Sequence, residues 1–261
     1  MPMCFSLIAS RDSCLRYSFS SAGLKSTTTD LGEGTIIHSW LPKHPSPSKP
    51  TLLLIHGIGA NAMWQWHEFI TPLTSRFNLY IPDLIFFGDS YSSRPERSET
   101  FQAQCVMGLM EAHGVRGRML VAGISYGGFV AYSMARSWGE DEKLVLCCAG
   151  VCAEEKDMEK GMFQCPSCFL NDFIEVMCTE HVQERRELIQ ALHKDRKMSD
   201  LPKITHPTLI IWGEHDLVFP MELAHRLKRQ IGDSAELVTI KNAGHAINPK
   251  QEKQSNGHKV D

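Results

Sequence analysis

A single stretch in the middle of the chain restricts the fold more than any other feature. It consists of a short apolar run, MLVAG, followed by the turn GISYG and the helix-like sequence GFVAYSMARSW. A serine between two glycines, at a turn from a strand into a helix, is typical of a nucleophile elbow. Such a turn lifts the serine hydroxyl clear of a parallel sheet. Ser125 is therefore the candidate nucleophile, and an ordinary glycine turn is the alternative.

Short apolar runs alternate with helix-like stretches from about residue 35 onward, and this alternation predicts the fold class. Runs that are apolar throughout indicate parallel strands that are covered on both faces. The predicted strands are Thr35–Trp40, Thr51–His56, Phe77–Ile81, Met119–Gly123, Lys143–Ala149, Thr208–Trp212 and Leu237–Ile240. The predicted helices are Trp64–Thr74, Glu99–His113, Tyr126–Trp138, Glu180–Lys194 and Met221–Gln230. The sequence thus predicts an α/β fold with a doubly wound, mostly parallel sheet.

The domain organisation follows from the segments that interrupt this alternation. Residues 153–201 contain no good strand and lie between two predicted sheet strands, so we expect a small helical cap insertion there. Residues 1–34 are predicted to be an N-terminal extension, and residues 35–248 the core that carries the cap. The polar residues 249–261 are predicted to be a disordered tail.

The composition disfavours some classes of function and bears on the compartment. A net charge of −3 provides no basic field for a polyanion, so nucleic-acid binding is not expected. No apolar run approaches the roughly 18 residues of a membrane span, and no transmembrane segment is expected. Nine cysteines, several of them in apolar runs, indicate buried thiols in a reducing compartment. We expect a cytoplasmic protein, and the Ser- and Thr-rich residues 1–29 leave a chloroplast transit peptide as the alternative.

A second motif, HGIG at residues 56–59, follows the apolar strand TLLLI and predicts an oxyanion hole. Acyl transfer builds negative charge on a carbonyl oxygen, and preset backbone amides stabilise that charge. The predicted donors are the amide of Ile58 and the amide of Tyr126, the residue after the candidate nucleophile. His56 is predicted to brace its loop by hydrogen bonding and not to act as a base.

Two further residues that could form a catalytic triad with Ser125 lie in loops that follow later strands. Asp216 is in WGEHDLVFP, after the strand TLIIW, and His245 is in NAGHA, after the strand ELVTI. The chain order of serine, aspartate and histidine is the one found with nucleophile elbows. His245 would then act as the base and Asp216 would orient it. Glu214 is the rival acid, and the spacing favours Asp216.

Together, the motifs HGIG, PDLIFFGDS, GISYGG, WGEHDLVFP and NAGHA resemble the α/β-hydrolase superfamily over residues 50–248. The extended N-terminus and the string GANAMWQW resemble its plant branch of lipase-like or esterase-like serine hydrolases. The resemblance implies a triad and an oxyanion hole that act without a cofactor or a metal. Asp83, in PDLIFFGDS, resembles a structural turn residue of the family, and no chemistry is assigned to it.

The resemblance implies a serine hydrolase that cleaves an ester-like acyl bond of a small molecule through an acyl-enzyme, as carboxylesterases and lipase-like enzymes do. Two alternatives stay open: a C–C bond hydrolase of the meta-cleavage type, and a non-catalytic ligand receptor or inactive isoform on the same fold. The chain departs from the family in its shorter cap and in the sequence INPKQEKQSNGHKVD, which offers no apolar helix face after the histidine. We therefore expect low stability and weak or no turnover. The oligomeric state is not indicated.

Overall fold

The computed structural model describes residues 7–59, 61–137, 142–155, 157 and 180–245. The strands of this part of the chain are β1 (Leu24–Gly32), β2 (Thr35–Pro42), β3 (Thr51–Ile55), β4 (Asn78–Pro82), β5 (Tyr91–Ser92), β6 (Met119–Ile124), β7 (Lys143–Cys147), β8 (Thr208–Gly213) and β9 (Ala235–Ile240). They form one sheet in the order β1-β2-β4-β3-β6-β7-β8-β9, with β5 paired to β2. Neighbouring strands from β4 to β9 along this order are parallel, whereas β1, β2 and β5 pair in antiparallel fashion.

The predicted α/β fold with a doubly wound, mostly parallel sheet is confirmed. Each of the seven predicted strands corresponds to an observed one, with ends that differ by at most two residues. The central strands are apolar throughout because helices cover both of their faces. In β3, for example, Leu53 and Leu54 point to opposite faces, and their exposed fractions are 0% and 1%.

Helices pack on both faces of the sheet. They are α1 (Leu7–Ser21), α2 (Ala62–Thr74), α3 (Glu99–Ala112), α4 (Tyr126–Ala135), α5 (Val182–His193) and α6 (Met221–Ile231). The helices α1 and α2 share one hydrophobic cluster with one face of the sheet, and α3 to α6 share a second cluster with the other face. No helix among the described residues is long and apolar enough to cross a membrane.

The N-terminal segment is more closely integrated into the fold than the sequence predicts. β1 pairs with β2 from Leu24 opposite Pro42 to Gly32 opposite Thr35, so the predicted boundary after residue 34 falls within a hairpin. Phe19 of α1 is fully buried, and its ring centroid lies 5.2 Å from that of Trp40. The sequence of β1, LKSTTTDLG, lacks an apolar alternation because most of this edge strand is exposed or only half-buried.

The predicted cap is described only in part, because residues 158–179 lie outside the described residues. Its predicted helix 180–194 is present as α5. The buried Arg185 of α5 donates from Nε to the carbonyl of Phe86 at 2.6 Å, and Glu187 pairs with Arg97 at 2.8 Å. These contacts fasten α5 to the loop between β4 and β5 and to the start of α3. The predicted tail, residues 249–261, also lies outside the described residues.

Candidate active site

Ser125 lies at a sharp turn between β6 and α4. Its backbone has φ 52° and ψ −121°, a strained conformation for a residue that is not glycine. The flanking glycines are required by close backbone contacts. A Cβ atom on Gly123 would lie 2.3 Å from the carbonyl oxygen of Gly127, and one on Gly127 would lie 2.3 Å from that of Ile55. The local geometry is therefore that of a nucleophile elbow.

The structure brings the three triad candidates into one hydrogen-bonded chain. His245 Nδ1 donates to Asp216 Oδ2 at 2.9 Å, and Ser125 Oγ donates to His245 Nε2 at 2.9 Å. These roles follow because a carboxylate oxygen accepts hydrogen bonds: the imidazole proton is then on Nδ1, and the unprotonated Nε2 accepts from Ser125. The Asp216 side chain is fully buried, and its Oδ1 accepts the amides of Val218 and Phe219, each at 2.8 Å. The carboxylate is thus held in a fixed orientation towards the imidazole.

The loops that carry Asp216 and His245 are joined by main-chain hydrogen bonds. The amide of His215 donates to the carbonyl of Ala243 at 2.8 Å, and the amide of Glu214 donates to that of Ile240 at 3.0 Å. A Cβ atom on Gly213 would lie 2.2 Å from the carbonyl oxygen of Gly244, so the two loops are in direct contact. The distance between the acid and the histidine is therefore set by paired loops at the ends of adjacent strands.

The rival acid, Glu214, has a different position. Its carboxylate accepts the amide of Asn242 at 2.9 Å, and its side chain is 45% exposed. Asn242 itself has a positive φ of 56°, which an additional hydrogen bond helps to hold. Glu214 therefore braces the loop that carries His245, while Asp216 contacts the imidazole.

His56 fixes the loop that contains the predicted oxyanion hole. Its Nε2 accepts the amide of Leu84 at 2.9 Å, so the proton is on Nδ1, which donates to the carbonyl of Gly57 at 2.7 Å. Burial lowers the pKa of His56, and the imidazole is neutral in the folded protein. These contacts agree with the bracing role that the sequence predicts.

The neighbouring Gly57 brings the predicted oxyanion loop against the nucleophile. A Cβ atom on Gly57 would lie 2.9 Å from Cβ of Ser125, and the Gly57 amide donates to Oε1 of Gln65 at 2.6 Å. The sequence gives no signal for this role of Gln65, which lies one turn inside α2. Tyr126 is the first residue of α4, where helix amides have no intrahelical acceptor. The donor roles of Ile58 and Tyr126 stay a prediction.

A second Ser–His–Asp chain exists elsewhere in the molecule. Asp83 Oδ2 accepts from His38 Nδ1 at 2.7 Å, and His38 Nε2 lies 2.7 Å from Ser26 Oγ. Asp83 Oδ1 also accepts the amide of Ala62 at 2.7 Å, so this buried carboxylate joins β2 to the start of α2. Ser26 lies within the edge strand β1 and not at a strand-to-helix turn. These hydrogen bonds therefore hold the strands and the helix together, which agrees with the structural role that the sequence predicts for Asp83.

One potential metal-binding group lies at the triad itself. Ligand atoms of Cys148, Asp216 and His245 lie within 4.8 Å of one another. The sequence predicts only that Cys148 is a buried thiol, and its exposed fraction is 0%. Burial raises the pKa of this thiol, and the nearby Asp216 carboxylate raises it further. A cysteine binds a metal as the thiolate, and the raised pKa keeps Cys148 in its protonated form. The environment of Cys148 therefore disfavours metal binding.

Comparison with known proteins gives the family of this chain. Lipase 3 of Moraxella sp. (strain TA144) is 25% identical over 234 residues, which cover 74% of this chain and 71% of that protein. The 2-hydroxy-6-oxononadienedioate/2-hydroxy-6-oxononatrienedioate hydrolase of Pseudomonas sp is 25% identical over 252 residues, covering 83% of this chain and 88% of its own. These relatives are bacterial, and the plant branch stays a prediction.

The fold comparison and the family model agree with each other. The crystal structure of the lip1 protein from Acinetobacter baumannii AYE matches with a TM-score of 0.75 at 23% identity, covering 94% of this chain and 93% of that chain. The model of the Alpha/beta hydrolase family matches residues 52–253, which include the elbow, the acid loop and the histidine loop. The chain belongs to the α/β-hydrolase family.

Proposed function

We propose that this α/β-hydrolase is a serine esterase that acts through an acyl-enzyme. The observation that carries this proposal is the continuous hydrogen-bonded chain from the buried Asp216 through His245 to Ser125, with 2.9 Å at both contacts. A structural network needs neither a strained serine backbone nor a partly exposed imidazole, and both are present at this site, where the His245 side chain is 24% exposed. The lipase named among the relatives supports an ester substrate.

The proposed reaction begins when Ser125 Oγ attacks the ester carbonyl carbon and passes its proton to His245 Nε2. Asp216 stabilises the resulting imidazolium through Nδ1. The carbonyl oxygen becomes an oxyanion between the amides of Ile58 and Tyr126, and loss of one such donor raises the barrier by about 3 kcal/mol. His245 then protonates the leaving alcohol. Water, deprotonated by the same imidazole, attacks the acyl-enzyme and releases the acid and Ser125.

A second candidate function is hydrolysis of a C–C bond, because one relative is an oxononadienedioate hydrolase. A non-catalytic receptor or inactive isoform is the third, and an intact hydrogen-bonded triad counts against it. We propose an apolar acyl group for the substrate. Its basis is the apolar content of the predicted cap, although these residues lie outside the described ones: Met158, Met162, Phe163, Phe169, Leu170, Phe173, Ile174 and Met177.

Covalent labelling with a fluorophosphonate, followed by mass spectrometry, tests the nucleophile. Wild-type protein should be labelled at Ser125, and Ser125→Ala should abolish both labelling and the hydrolysis of p-nitrophenyl butyrate. Ser26→Ala is the matched control, because it removes the serine of the other Ser–His–Asp chain and should leave labelling intact. A folded Ser125→Ala protein that is still labelled would move the nucleophile elsewhere.

A substrate panel tests the reaction class and the acyl group. We expect turnover of p-nitrophenyl esters with apolar chains, at the low rate that the sequence predicts, and still slower turnover of charged, peptide or vinylogous diketone substrates. Preferred cleavage of a vinylogous 1,5-diketone acid would replace the esterase by the C–C hydrolase. Labelling without turnover of any panel member would favour the receptor.

We also propose that the protein acts in the cytoplasm. The burial of Leu15 and Phe19 of α1 supports this location. Removal of residues 1–29 as a transit peptide would take away all of α1 and most of β1, which pairs with β2 along its length.

A further inference from the structure

The turn that follows β7 lies between the nucleophile elbow and the acid loop and contacts both. A Cβ atom on Gly128, at the start of α4, would lie 2.3 Å from Cβ of Ala149. On the other side of the turn, a Cβ atom on Gly150 would lie 2.4 Å from the ring of Phe219. Cys148 begins this turn with a positive φ of 45°, and its amide donates to the carbonyl of Ile211 at 2.9 Å. The position of Cys148 is therefore fixed relative to both catalytic loops.

The thiol of Cys148 lies against the carboxylate that orients the catalytic histidine. Its Sγ is within 4.8 Å of a carboxylate oxygen of Asp216 and of a ring nitrogen of His245. A carboxylate has about four acceptor positions. Three are used by the amides of Val218 and Phe219 and by the imidazole. Among the described residues, these three hydrogen bonds leave one acceptor position of a fully buried carboxylate, and a fully buried S–H group lies beside it.

We infer that Cys148 is a positioning residue, whose S–H donates to the Asp216 carboxylate and holds it in the plane that suits His245. This inference rests on the proposed function, since it concerns the same triad. Burial raises the pKa of the Cys148 thiol, and the adjacent Asp216 carboxylate raises it as well, whereas the Gly213 backbone acts in the opposite direction. The thiol therefore keeps the proton that it donates. It takes no part in bond making, because Ser125 is the nucleophile.

The test compares Cys148→Ala, Cys148→Ser and a matched control, Cys152→Ala, in the full chain. Cys152 is equally buried, four residues further along, and is not part of the triad cluster. With p-nitrophenyl butyrate we expect Cys148→Ala to lower kcat about fivefold, the loss typical of one hydrogen bond, with KM unchanged. Cys148→Ser restores a donor and should return kcat to near the wild-type value. An equal kcat for Cys148→Ala and Cys152→Ala would overturn the inference.

A double-mutant cycle separates positioning through Asp216 from a general loss of packing. In an Asp216→Asn background, Cys148→Ala should cause no further loss in the rate of fluorophosphonate labelling, because the acceptor has already changed. A full additional fivefold loss would show that Cys148 acts independently of Asp216 and would refute the positioning role.

A spectroscopic readout keeps this inference testable even where the esterase proposal fails. The proton between His245 Nδ1 and Asp216 Oδ2 should give a low-field NMR signal, which Cys148→Ala should move and Cys152→Ala should not. If Cys148→Ala does not fold, Cys148→Ser should still shift the signal, because a hydroxyl is the stronger donor. An unshifted signal would contradict the proposed contact. A wild-type protein that shows this response but no labelling by fluorophosphonate would refute the esterase and leave the contact established.

Discussion

Replacing Asp216 by asparagine changes one atom and reverses the hydrogen-bonding polarity of the triad. The amides of Val218 and Phe219 both donate to Oδ1, so the asparagine side chain must keep its oxygen at that position. Its NH2 group then faces His245 Nδ1, 2.9 Å away, and can only donate. The imidazole must therefore accept at Nδ1 and carry its proton on Nε2. In this tautomer His245 cannot take the proton of Ser125.

The expected magnitude follows from the loss of the base. In the best-measured Ser–His–Asp enzyme the wrong tautomer lowers kcat by about 10⁴. We expect a loss of the same order for Asp216→Asn in the hydrolysis of p-nitrophenyl butyrate, with an unchanged melting temperature. Turnover should be partly restored at alkaline pH, where hydroxide replaces the missing base.

The matched control is Glu214→Gln, in the same loop. Glutamine keeps an oxygen that can accept the amide of Asn242, and the side chain is 45% exposed, so kcat should stay within about twofold of the wild-type value. If Glu214→Gln lost more activity than Asp216→Asn, the third member of the triad would have to be reassigned.

Two further predictions concern the support of the site. Gly127→Ala should destabilise the protein by about 3 kcal/mol in urea unfolding, because a Cβ atom there would lie 2.3 Å from the carbonyl of Ile55; an unchanged midpoint would refute the close contact. Burial lowers the pKa of His56 below its usual 6.5, so the unfolded state binds the proton more readily and stability should fall as the pH drops through 6.5. Urea titrations between pH 8 and 5 should show a shallower loss for His56→Asn, and equal slopes would contradict this assignment.

The sequence predicts the parts of the fold that are governed by burial on two faces. Leu144 and Leu146 of β7, for example, are almost fully buried. A short run of apolar residues of this kind is easily recognised in the sequence between polar segments. The sequence does not predict the helix α1 or the strand β1. Most side chains of the edge strand β1 are exposed or half-buried, and among residues 10–21 of α1 only Leu15 and Phe19 are buried, so neither segment shows a continuous apolar face. Their place becomes clear only when the hairpin with β2 is formed.

The sequence likewise predicts some residues of the site and misses others. Ser125, Asp216 and His245 each follow an apolar strand, and parallel strands end at one edge of the sheet, so their proximity could be predicted. The supporting contacts could not. Gln65 and Cys148 reach the site through the packing of α2 and of the turn after β7. No local pattern in the sequence distinguishes them from ordinary helix and core residues.

The position of His245 depends on how the last strands of the sheet are covered. The helices α1 and α2 cover one face of the sheet, but they do so over other strands. On this same face, Cys147, Ile211 and Val238 lie side by side in register, and Val238 is 37% exposed. Among the described helices, α6 packs against β8 and β9 on the opposite face.

Burial of several hundred Å² of apolar surface contributes on the order of 5 to 10 kcal/mol, comparable with the whole stability of a domain. The segment after residue 245 lies outside the described residues. Because the loop that carries His245 extends from β9, loosening of this strand would move the proposed base away from Ser125, and stability and turnover should therefore vary together.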